Sequence, residues 1–459
     1  MSYQAIITPV QAILPHPNAD RLEIAVVCNT HVVVGIGNYK PDDLVVFFET
    51  DGCLSKEYCE ANGLYERFEE IDGVRQRIGT GYLDPNGRIR ALNLRSYKSN
   101  GLVMPLSSLD FLEFDRSVLQ AGYGFTEIGG VEICKKYETP ATRLAKTTNK
   151  KDKPRLKAKI QFPEHVETEN FRRNIHKIPV GATVTITEKQ HGTSGRVSLA
   201  YTEQEVYNPF ISTVFRYLNV NTPWRPVNKM WNWFRQTIEE KTKHTIKGYI
   251  PQNGTRRVIL KKASGNTGYY GSDDFRWAIA DRLLPFLRKG ETLYYEIVGW
   301  VAPDKHIMPP HNTAVTGDKK FIKQYGSEIT YNYGVPNGTA KAYVYRIAVT
   351  NEDGYQWDLP WEAVKARCAE LGVDHVPELH VSHNYHPTLS SFGAKDLISY
   401  VESLSLQSTF PNQFPEGVVV RVDHAGKTWF LKEKNWYFLA MEGFMKDRPD
   451  YVDTEEIES

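Results

Sequence analysis

The sequence predicts an α+β protein in which a small β-barrel precedes a larger domain that combines strands and helices. First, 459 residues are too many for one ordinary domain. Second, short stretches of alternating apolar residues, separated by turn signals, fill roughly the first 130 residues. Third, strand patterns mix with helical patches beyond about residue 166. A hydrophobic content of 41% is sufficient for real cores.

The N-terminal domain is predicted to cover residues 1–135. Its strand patterns include LEIAVV from Leu22, HVVVGI from His31 and LVVFF from Leu44. Short strands at such spacing are typical of a small closed barrel. The run HPNADRLE, followed by VVVGIGNYKPDDLVVFFETDG, resembles the OB-type domains that bind tRNA or other nucleic acid. We therefore expect an OB-like nucleic-acid-binding domain here.

A basic linker is predicted for residues 136–165, centred on the run KKYETPATRLAKTTNKKDKPRLKAK. A solvated tether is favoured, and an arm lying along phosphates stays open. The second domain is predicted for 166–445, with an insertion at about 201–256 that contains the helical pattern KMWNWFRQTIEEKTKHT. Packing of its aromatic side chains on the core is favoured over base stacking. An acidic tail, 446–459, follows.

Composition excludes several classes of protein. The net charge of +1 gives no global positive field, so a nucleic-acid surface must be local. Five scattered cysteines without a CxxC pair argue against a disulfide framework or a zinc site. No segment approaches the roughly 18 apolar residues of a membrane span, and no signal segment is evident. We expect a monomer without membrane contact, in the cytoplasm or another reducing compartment.

The stretch ITEKQHGTSGRV places Lys189 at the tip of a predicted strand, where a surface lysine is the ordinary interpretation. Residues in other segments favour a functional interpretation of Lys189 instead. Glu296 lies within an apolar strand pattern, and Glu416 precedes a glycine at a strand start. Lys432 and Lys434 alternate, so they point to one face of a strand. Each of these alone has an ordinary explanation at a sheet edge.

Taken in order, these segments resemble motifs I, III, IIIa, IV and V of the covalent nucleotidyltransferases, which include ATP-dependent polynucleotide ligases and mRNA capping guanylyltransferases. The resemblance rests on KxxG, YEIVG, YVYR, EGVV and LKEK between residues 189 and 434. The run KQHGTS is similar to the RNA ligase 2 branch, whereas an OB-like domain before the core is similar to the RNA ligase 5 group. The resemblance implies antiparallel sheets with flanking helices, ATP, and Mg²⁺ or Mn²⁺.

The resemblance also implies roles for the five central residues. Lys189 would be the nucleophile that forms a covalent lysyl-AMP, which requires an unprotonated amine. Lys432 and Lys434 would supply positive charge that favours the neutral amine and stabilises the α-phosphate. Glu296 and Glu416 offer oxygen ligands to the metal ion, and Glu296 alternatively holds a ribose hydroxyl.

Several nucleotide-binding residues follow from the resemblance alone. Tyr345, rather than Tyr343, is expected to stack on adenine. Lys262 is favoured over Arg257 and Lys261 as the basic residue that follows motif I.

The remaining implied contacts lie near Lys189 or precede it. Glu188 and Gly192 are placed at the nucleotide, where the glycine would permit close approach. His191 stands where many relatives have aspartate, and a turn cap and a role at the metal or phosphate both stay open. Arg172 and Arg173 are expected to contact phosphates or RNA.

The predicted function is an ATP-dependent RNA ligase that seals 3′-OH/5′-phosphate RNA ends or nicks, in a nicked duplex or an RNA:DNA hybrid. One alternative is a GTP-dependent capping guanylyltransferase, although only about 25 residues follow Lys434, too few for the C-terminal OB domain of such enzymes. The other alternative is a non-catalytic OB-fold RNA-binding protein.

Overall fold

A computed structural model describes residues 3–65, 67–71, 74–78, 81–148, 158–217, 225–260, 262, 270–271, 274–387, 396–448 and 450–452. Parts of the predicted linker (149–157), insertion (218–224) and tail (449 and 453–459) lie outside these residues, as does Lys261. The described chain is α+β and is built mainly from antiparallel sheets, as predicted. None of its described helices is long and apolar enough to cross a membrane.

Two antiparallel sheets form the N-terminal part. In order, the strands of the first are Leu102–Pro105, Leu44–Phe48, Ala5–Pro9 and Gly124–Phe125. The strands of the second are Ala12–Pro15, Leu22–Val27 and Thr30–Gly35. Alternate residues such as Val32 and Val34 face a shared apolar cluster between the sheets, while His31 is exposed.

The chain crosses from one of these sheets to the other at Val10 and Gln11. The Val10 N–H donates to the Asp43 carbonyl at 2.9 Å, and the Gln11 N–H donates to the Val26 carbonyl at 2.8 Å. Among the described strands, no hydrogen-bonded ladder closes both sheets into a single barrel. The closed-barrel prediction therefore holds only in part: a bent chain segment and a common core join the sheets.

The outer face of the first sheet packs on a second apolar cluster, which includes Tyr58 and Cys59 of the helix Lys56–Ala61. Four short strand pairs complete this part of the chain: Gly52–Leu54 with Cys134–Lys136, Arg67–Ile71 with Val74–Ile78, Ala91–Leu94 with Tyr97–Asn100, and Glu127–Ile128 with Val131–Glu132.

Two larger sheets form the rest of the described chain. The main ladder of the eight-stranded sheet runs Ala158–Ile160, Thr193–Val206, Glu291–Ala302, Ala340–Thr350 and Gln356–Asp358, with His244–Gly254, Lys305–His306 and Asp374–His375 paired beside it. The five-stranded sheet runs Glu169–Asn170, Lys427–Lys434, Gly417–His424, Thr183–Lys189 and Glu378–Ser382. A small pair, His311–Asn312 with Glu328–Ile329, lies apart.

Helices cover both sheets. Asp274–Leu283 and Trp361–Leu371 contribute to the core of the eight-stranded sheet, and Leu397–Leu404 contributes to the core of the five-stranded sheet. The other helices of the described chain are Pro140–Thr148, Phe171–Asn174, Pro209–Tyr217, Arg225–Thr242, Lys319–Tyr325 and Trp436–Lys446.

The strand Thr183–Lys189 carries the chain from one large sheet to the other. It pairs with Gly417–His424 in the five-stranded sheet, and after residues 190–192 the chain enters Thr193–Val206 of the eight-stranded sheet. The two sheets therefore meet where Lys189 ends its strand, and a cleft opens between them.

Candidate active site

The cleft between the large sheets has a volume of about 910 Å³, including solvent at its mouth. Six of the residues singled out from the sequence line it: Glu188, Lys189, Glu296, Tyr345, Lys432 and Lys434. The other candidate residues from the sequence lie beneath the cleft or outside it.

Glu416 lies beneath the cleft and contacts the lysine. Lys189 pairs across the ladder with Gly417, and its Nζ lies 2.8 Å from Oε2 of Glu416. A side chain at Gly417 would clash with the Glu433 carbonyl, so only glycine lets the strands approach this closely. The Glu416 side chain is 1% exposed, whereas that of Lys189 is 19% exposed. The lysine is thus the partner that reaches the cleft.

Lys434 approaches the same carboxylate from the neighbouring strand. Its Nζ lies 2.9 Å from Oε1 of Glu416 and 3.1 Å from Oε2 of Glu442. Burial alone would raise the pKa of the Glu416 carboxyl, but the ammoniums of Lys189 and Lys434 hold it well below its ordinary value. Glu416 is therefore a buried carboxylate shared by two ammoniums.

Lys432 lies two residues before Lys434 and lines the same cleft. The alternation of a strand brings both side chains to one face, as predicted from the spacing. The cleft is therefore lined by three lysines, on two strands that flank Gly417–His424 in the same sheet, which suits an anionic ligand.

Glu296 lies on the wall formed by the eight-stranded sheet. It pairs across the ladder with Ser194, whose Oγ lies 3.4 Å from Oε2 of Glu296. The described residues contain no group of three His, Cys, Asp or Glu side chains that could hold a metal ion. Mg²⁺ usually takes one or two protein carboxylates together with substrate phosphates and water. Glu296 lines the cleft, whereas the oxygens of Glu416 lie 2.8 and 2.9 Å from two lysine ammoniums, and the metal role of both residues stays a prediction.

His191 packs beneath the cleft rather than lining it. Its ring makes edge-on contacts with Tyr331 and Phe438, at centroid distances of 4.7 and 4.9 Å. Its Nδ1 lies 3.6 Å from Oε2 of Glu416, and its backbone N–H donates to the Tyr333 hydroxyl at 2.6 Å. The ring is therefore buried in an aromatic cluster beside Glu416, and both roles left open for His191 stay predictions.

Gly192 is explained by strand packing. A side chain there would clash with the carbonyl oxygen of Ile297 on the neighbouring strand. The close approach that requires glycine is thus between two segments of this chain, and contact with a nucleotide stays a prediction.

Glu188 lines the cleft, but its carboxylate points to a neighbouring loop. Its oxygens accept hydrogen bonds from the Ser408 hydroxyl at 2.7 Å, and from the backbone and hydroxyl of Thr409 at 2.9 and 2.8 Å. Alternation along the strand turns Glu188 away from the side that carries Lys189. Its carboxylate therefore fixes the loop.

Of the two candidate tyrosines, Tyr345 lines the cleft. Its hydroxyl lies 3.1 Å from Nδ1 of His165, and burial raises the pKa of Tyr345. Tyr343 instead packs against Phe410.

Lys262, the favoured basic residue, is not brought into the cleft. Its ammonium lies 2.6 and 2.8 Å from the carboxylate oxygens of Asp281, and over the Trp277 ring. Arg257, one of the alternatives, pairs with Glu167 at 2.7 Å. The neighbouring Arg256 lines the cleft instead. The basic run RRVILKK offers several cations. The path of the chain after strand His244–Gly254 determines which of them enters the cleft.

Arg172 and Arg173 lie at the contact with the N-terminal part. Arg172 Nε lies 2.6 Å from Oε1 of Glu433, and its Nη1 donates to the Asn29 carbonyl at 2.7 Å. Arg173 Nη1 lies 3.6 Å from Oε2 of Glu49. Both predicted phosphate ligands therefore join the two parts of the chain, because carboxylates and a carbonyl occupy their donors.

Several cleft residues were missed from the sequence. Apolar side chains of strands and flanking loops form much of the lining, and their patterns are those of ordinary core residues. The apolar ones include Val166, Val376 and Phe430, and the polar His165 and Thr168 lie beside them.

Two protein-family models match parts of the chain. A family model described as RNA ligase matches residues 182–432, more than half of the chain, and a model of an OB-fold domain matches residues 4–106. A comparison with curated protein sequences finds no significant match.

Solved structures of Naegleria gruberi RNA ligase resemble the whole chain. An aspartate-to-alanine mutant without ligand has 18% identity and a TM-score of 0.54, and covers 98% of this chain and 100% of that chain. A lysine-to-alanine mutant with ATP and Mn, and the enzyme with pyrophosphate, each have 17% identity and a TM-score of 0.53. Each match covers 97% of this chain and 99% of the matched chain. At this identity the likeness shows the fold.

Proposed function

The chain belongs to the RNA ligase family, and from this premise we propose that it is an ATP-dependent ligase that seals 3′-OH/5′-phosphate RNA ends or nicks. The observation that carries the proposal is the position of Lys189, at the mouth of a cleft whose floor holds Glu416 and whose wall holds Lys432 and Lys434. Nicked duplexes or RNA:DNA hybrids are the proposed substrates, and the protein is proposed to act as a monomer.

The first step is proposed to be adenylylation of Lys189. The unprotonated Nζ attacks the α-phosphorus of ATP, a phosphoramide N–P bond forms, and the P–O bond to pyrophosphate breaks. The ion pair with Glu416 favours the ammonium form of the resting lysine. The lysine must therefore lose a proton before it attacks, and nearby positive charge from Lys434 and Lys432 favours that loss.

The second and third steps transfer AMP and join the strands. An oxygen of the RNA 5′-phosphate attacks the lysyl-AMP phosphorus and releases the lysine. The 3′-hydroxyl then attacks the activated 5′-phosphate, a phosphodiester forms, and AMP leaves. Lys432 and Lys434 are proposed to stabilise negative charge on the phosphoryl oxygens.

Other residues of the cleft are proposed to hold the nucleotide and the metal ion. Glu296 and Glu416 would hold Mg²⁺ or Mn²⁺, which supplies charge neutralisation at the phosphates when bound. Tyr345 would contact the adenine base, and Arg256 would contact a phosphate or ribose oxygen. Solved structures of Naegleria gruberi RNA ligase mutants with ATP and Mn, and with AMP and Mn, support this choice of ligands.

The two domains are proposed to have separate roles. Residues 1–135 would hold nucleic acid, and residues 166–445 would carry out adenylyl transfer. An OB-fold match over residues 4–106 supports the first part.

Labelling of the protein by nucleotide tests the proposal. Purified protein is incubated with Mg²⁺ and α-labelled ATP or GTP, then denatured and separated. We expect ATP to label the wild-type protein but not the Lys189→Ala variant. The control variant Lys323→Ala, which changes a helix lysine outside the cleft, should be labelled like the wild type. Label from GTP alone would indicate a capping-type enzyme, and RNA binding without label would indicate a non-catalytic protein.

A further inference from the structure

A chain of alternating charges connects the cleft to the N-terminal part. Lys434 contacts Glu416 on one side and Glu442 on the other, at 2.9 and 3.1 Å. Oε1 of Glu442 lies 3.4 Å from Nζ of Lys446. That ammonium in turn lies 2.9 and 3.0 Å from the two carboxylate oxygens of Asp51, which belongs to the N-terminal part.

The central members of this chain are shielded from water. The side chains of Glu442 and Lys446 are 13% and 4% exposed. Burial alone would raise the pKa of the Glu442 carboxyl, but Lys434 and Lys446 lower it far below its ordinary value. Each buried charge thus contacts opposite charges on both sides, and removing one takes away part of its neighbours' compensation.

Glu442 sits on a helix that is fixed at both ends. Asn435 precedes the helix Trp436–Lys446, and its Nδ2 donates to the Pro415 carbonyl at 2.8 Å, next to Glu416. Near the other end, the carbonyl of Gly443 accepts a hydrogen bond from Nη1 of Arg88, from the N-terminal part, at 2.8 Å. The carboxylate of Glu442 is therefore presented from an element that touches both the cleft and the N-terminal part.

We infer that Glu442 is a positioning residue for Lys434 and that the contact of Lys446 with Asp51 couples this position to docking of the N-terminal part. The inference rests on the proposed function, since it gives Lys434 the task of stabilising phosphoryl charge.

The geometry explains why a second carboxylate is required. Without Glu442, Lys434 would lose the carboxylate that binds it on the side away from Glu416, whose other oxygen binds Lys189. Lys434 would then move from the position at which it meets the phosphate. Because that contact strengthens in the transition state, its loss lowers the rate constant of lysyl-AMP formation more than it raises the KM for ATP.

Rapid-quench measurement of lysyl-AMP formation tests this split. The amplitude reports the fraction of folded enzyme, and the rate constant reports the position of Lys434. We expect Glu442→Gln to lower the rate constant by about 10- to 100-fold, the loss typical of one charged contact. Asp51→Asn should act in the same direction with a smaller effect, and Glu442→Asp should restore part of the rate.

Matched variants separate positioning from stability. Glu291 forms a buried ion pair with Arg367 at 2.8 Å outside this chain, so Glu291→Gln should lower amplitude or stability without changing the rate constant. Asp110→Asn removes a carboxylate that pairs with Arg116 at 2.6 Å within the N-terminal part and should leave the rate constant unchanged. Equal rate constants for Glu442→Gln and the wild type would overturn the positioning role, and equal rate constants for Asp51→Asn would overturn the coupling.

Lysine acylation provides a readout that needs no ligase activity. The folded proteins are treated briefly with acetic anhydride without ATP, and modification of Lys434 is measured by mass spectrometry. We expect severalfold more modification in Glu442→Gln than in the wild type or Glu291→Gln. If the wild type forms no lysyl-AMP but Lys434 still responds, the proposed function fails and the positioning stands. If lysyl-AMP forms and neither readout changes, the positioning inference fails alone.

Discussion

Nζ of Lys189 lies 2.8 Å from Oε2 of Glu416, a carboxylate that is almost completely buried. The same carboxylate meets Lys434 at 2.9 Å through its other oxygen. One anion therefore sets the positions of two cations that face a common cleft. This arrangement makes Glu416 important both for the fold and for the proposed chemistry, and the two effects can be measured separately.

Replacement of Glu416 by glutamine should abolish detectable lysyl-AMP and destabilise the protein. The substitution leaves two partly buried ammoniums without their carboxylate, and breaking a buried pair in this way typically costs about 3–5 kcal/mol. Because Lys189 and Lys434 each retain about one fifth exposure, the lower end is expected. Urea unfolding measures the stability, and α-labelled ATP measures the adenylylation. Glu328→Gln, an exposed strand residue, is the control and should match the wild type in both.

Stability should fall as the pH drops through the acidic range. The pKa of Glu416 is lower in the folded state than its ordinary value of 4.5, so its contribution to stability is complete above that value. The contribution is lost progressively as the pH falls below 4.5 towards the folded pKa. Urea midpoints between neutral and acidic pH should decline less steeply for Glu416→Gln than for the wild type. Parallel declines would show that Glu416 does not carry this pH dependence.

The resemblance to the covalent nucleotidyltransferases implied that Lys189, Glu416 and Lys434 belong to one site, but it gave Glu416 a metal ion rather than two ammoniums as its partner. Strand alternation placed Lys432 and Lys434 on one face without knowledge of the fold. Local pattern was therefore sufficient where both residues lie at alternate positions of one recognisable strand.

Tertiary packing decided the remaining positions. The sequence near Lys262 contains several cations at similar spacing, and only the three-dimensional path of the chain shows that Arg256 enters the cleft. Arg172 carries the same charge whether it meets a phosphate or Glu433. The contact of Lys446 with Asp51 joins residues 395 positions apart in sequence, so no periodicity could indicate it.

Arg256→Ala should weaken lysyl-AMP formation, whereas Lys262→Ala should not. Arg256 lines the cleft, and loss of one charged contact to ATP would reduce kcat/KM by about 10- to 100-fold. Lys262 is exposed and paired with Asp281 outside the cleft, so its loss should change kcat/KM by less than about twofold. Initial rates of adenylylation at several ATP concentrations measure both. The opposite result would restore Lys262 as the basic residue of the site.

Gly192→Ala should destabilise the protein, because the added methyl group would meet the Ile297 carbonyl oxygen and force two strands apart. Overpacking of this kind typically costs about 1–3 kcal/mol. Gly248→Ala is a matched control, since it also lies in a strand but a side chain there meets nothing within 4 Å. Thermal and urea unfolding should therefore show a loss for Gly192→Ala and little change for Gly248→Ala. Equal stability of the two variants would mean that Gly192 is needed for the nucleotide rather than for strand packing, and the KM for ATP of Gly192→Ala would then be the quantity that changes.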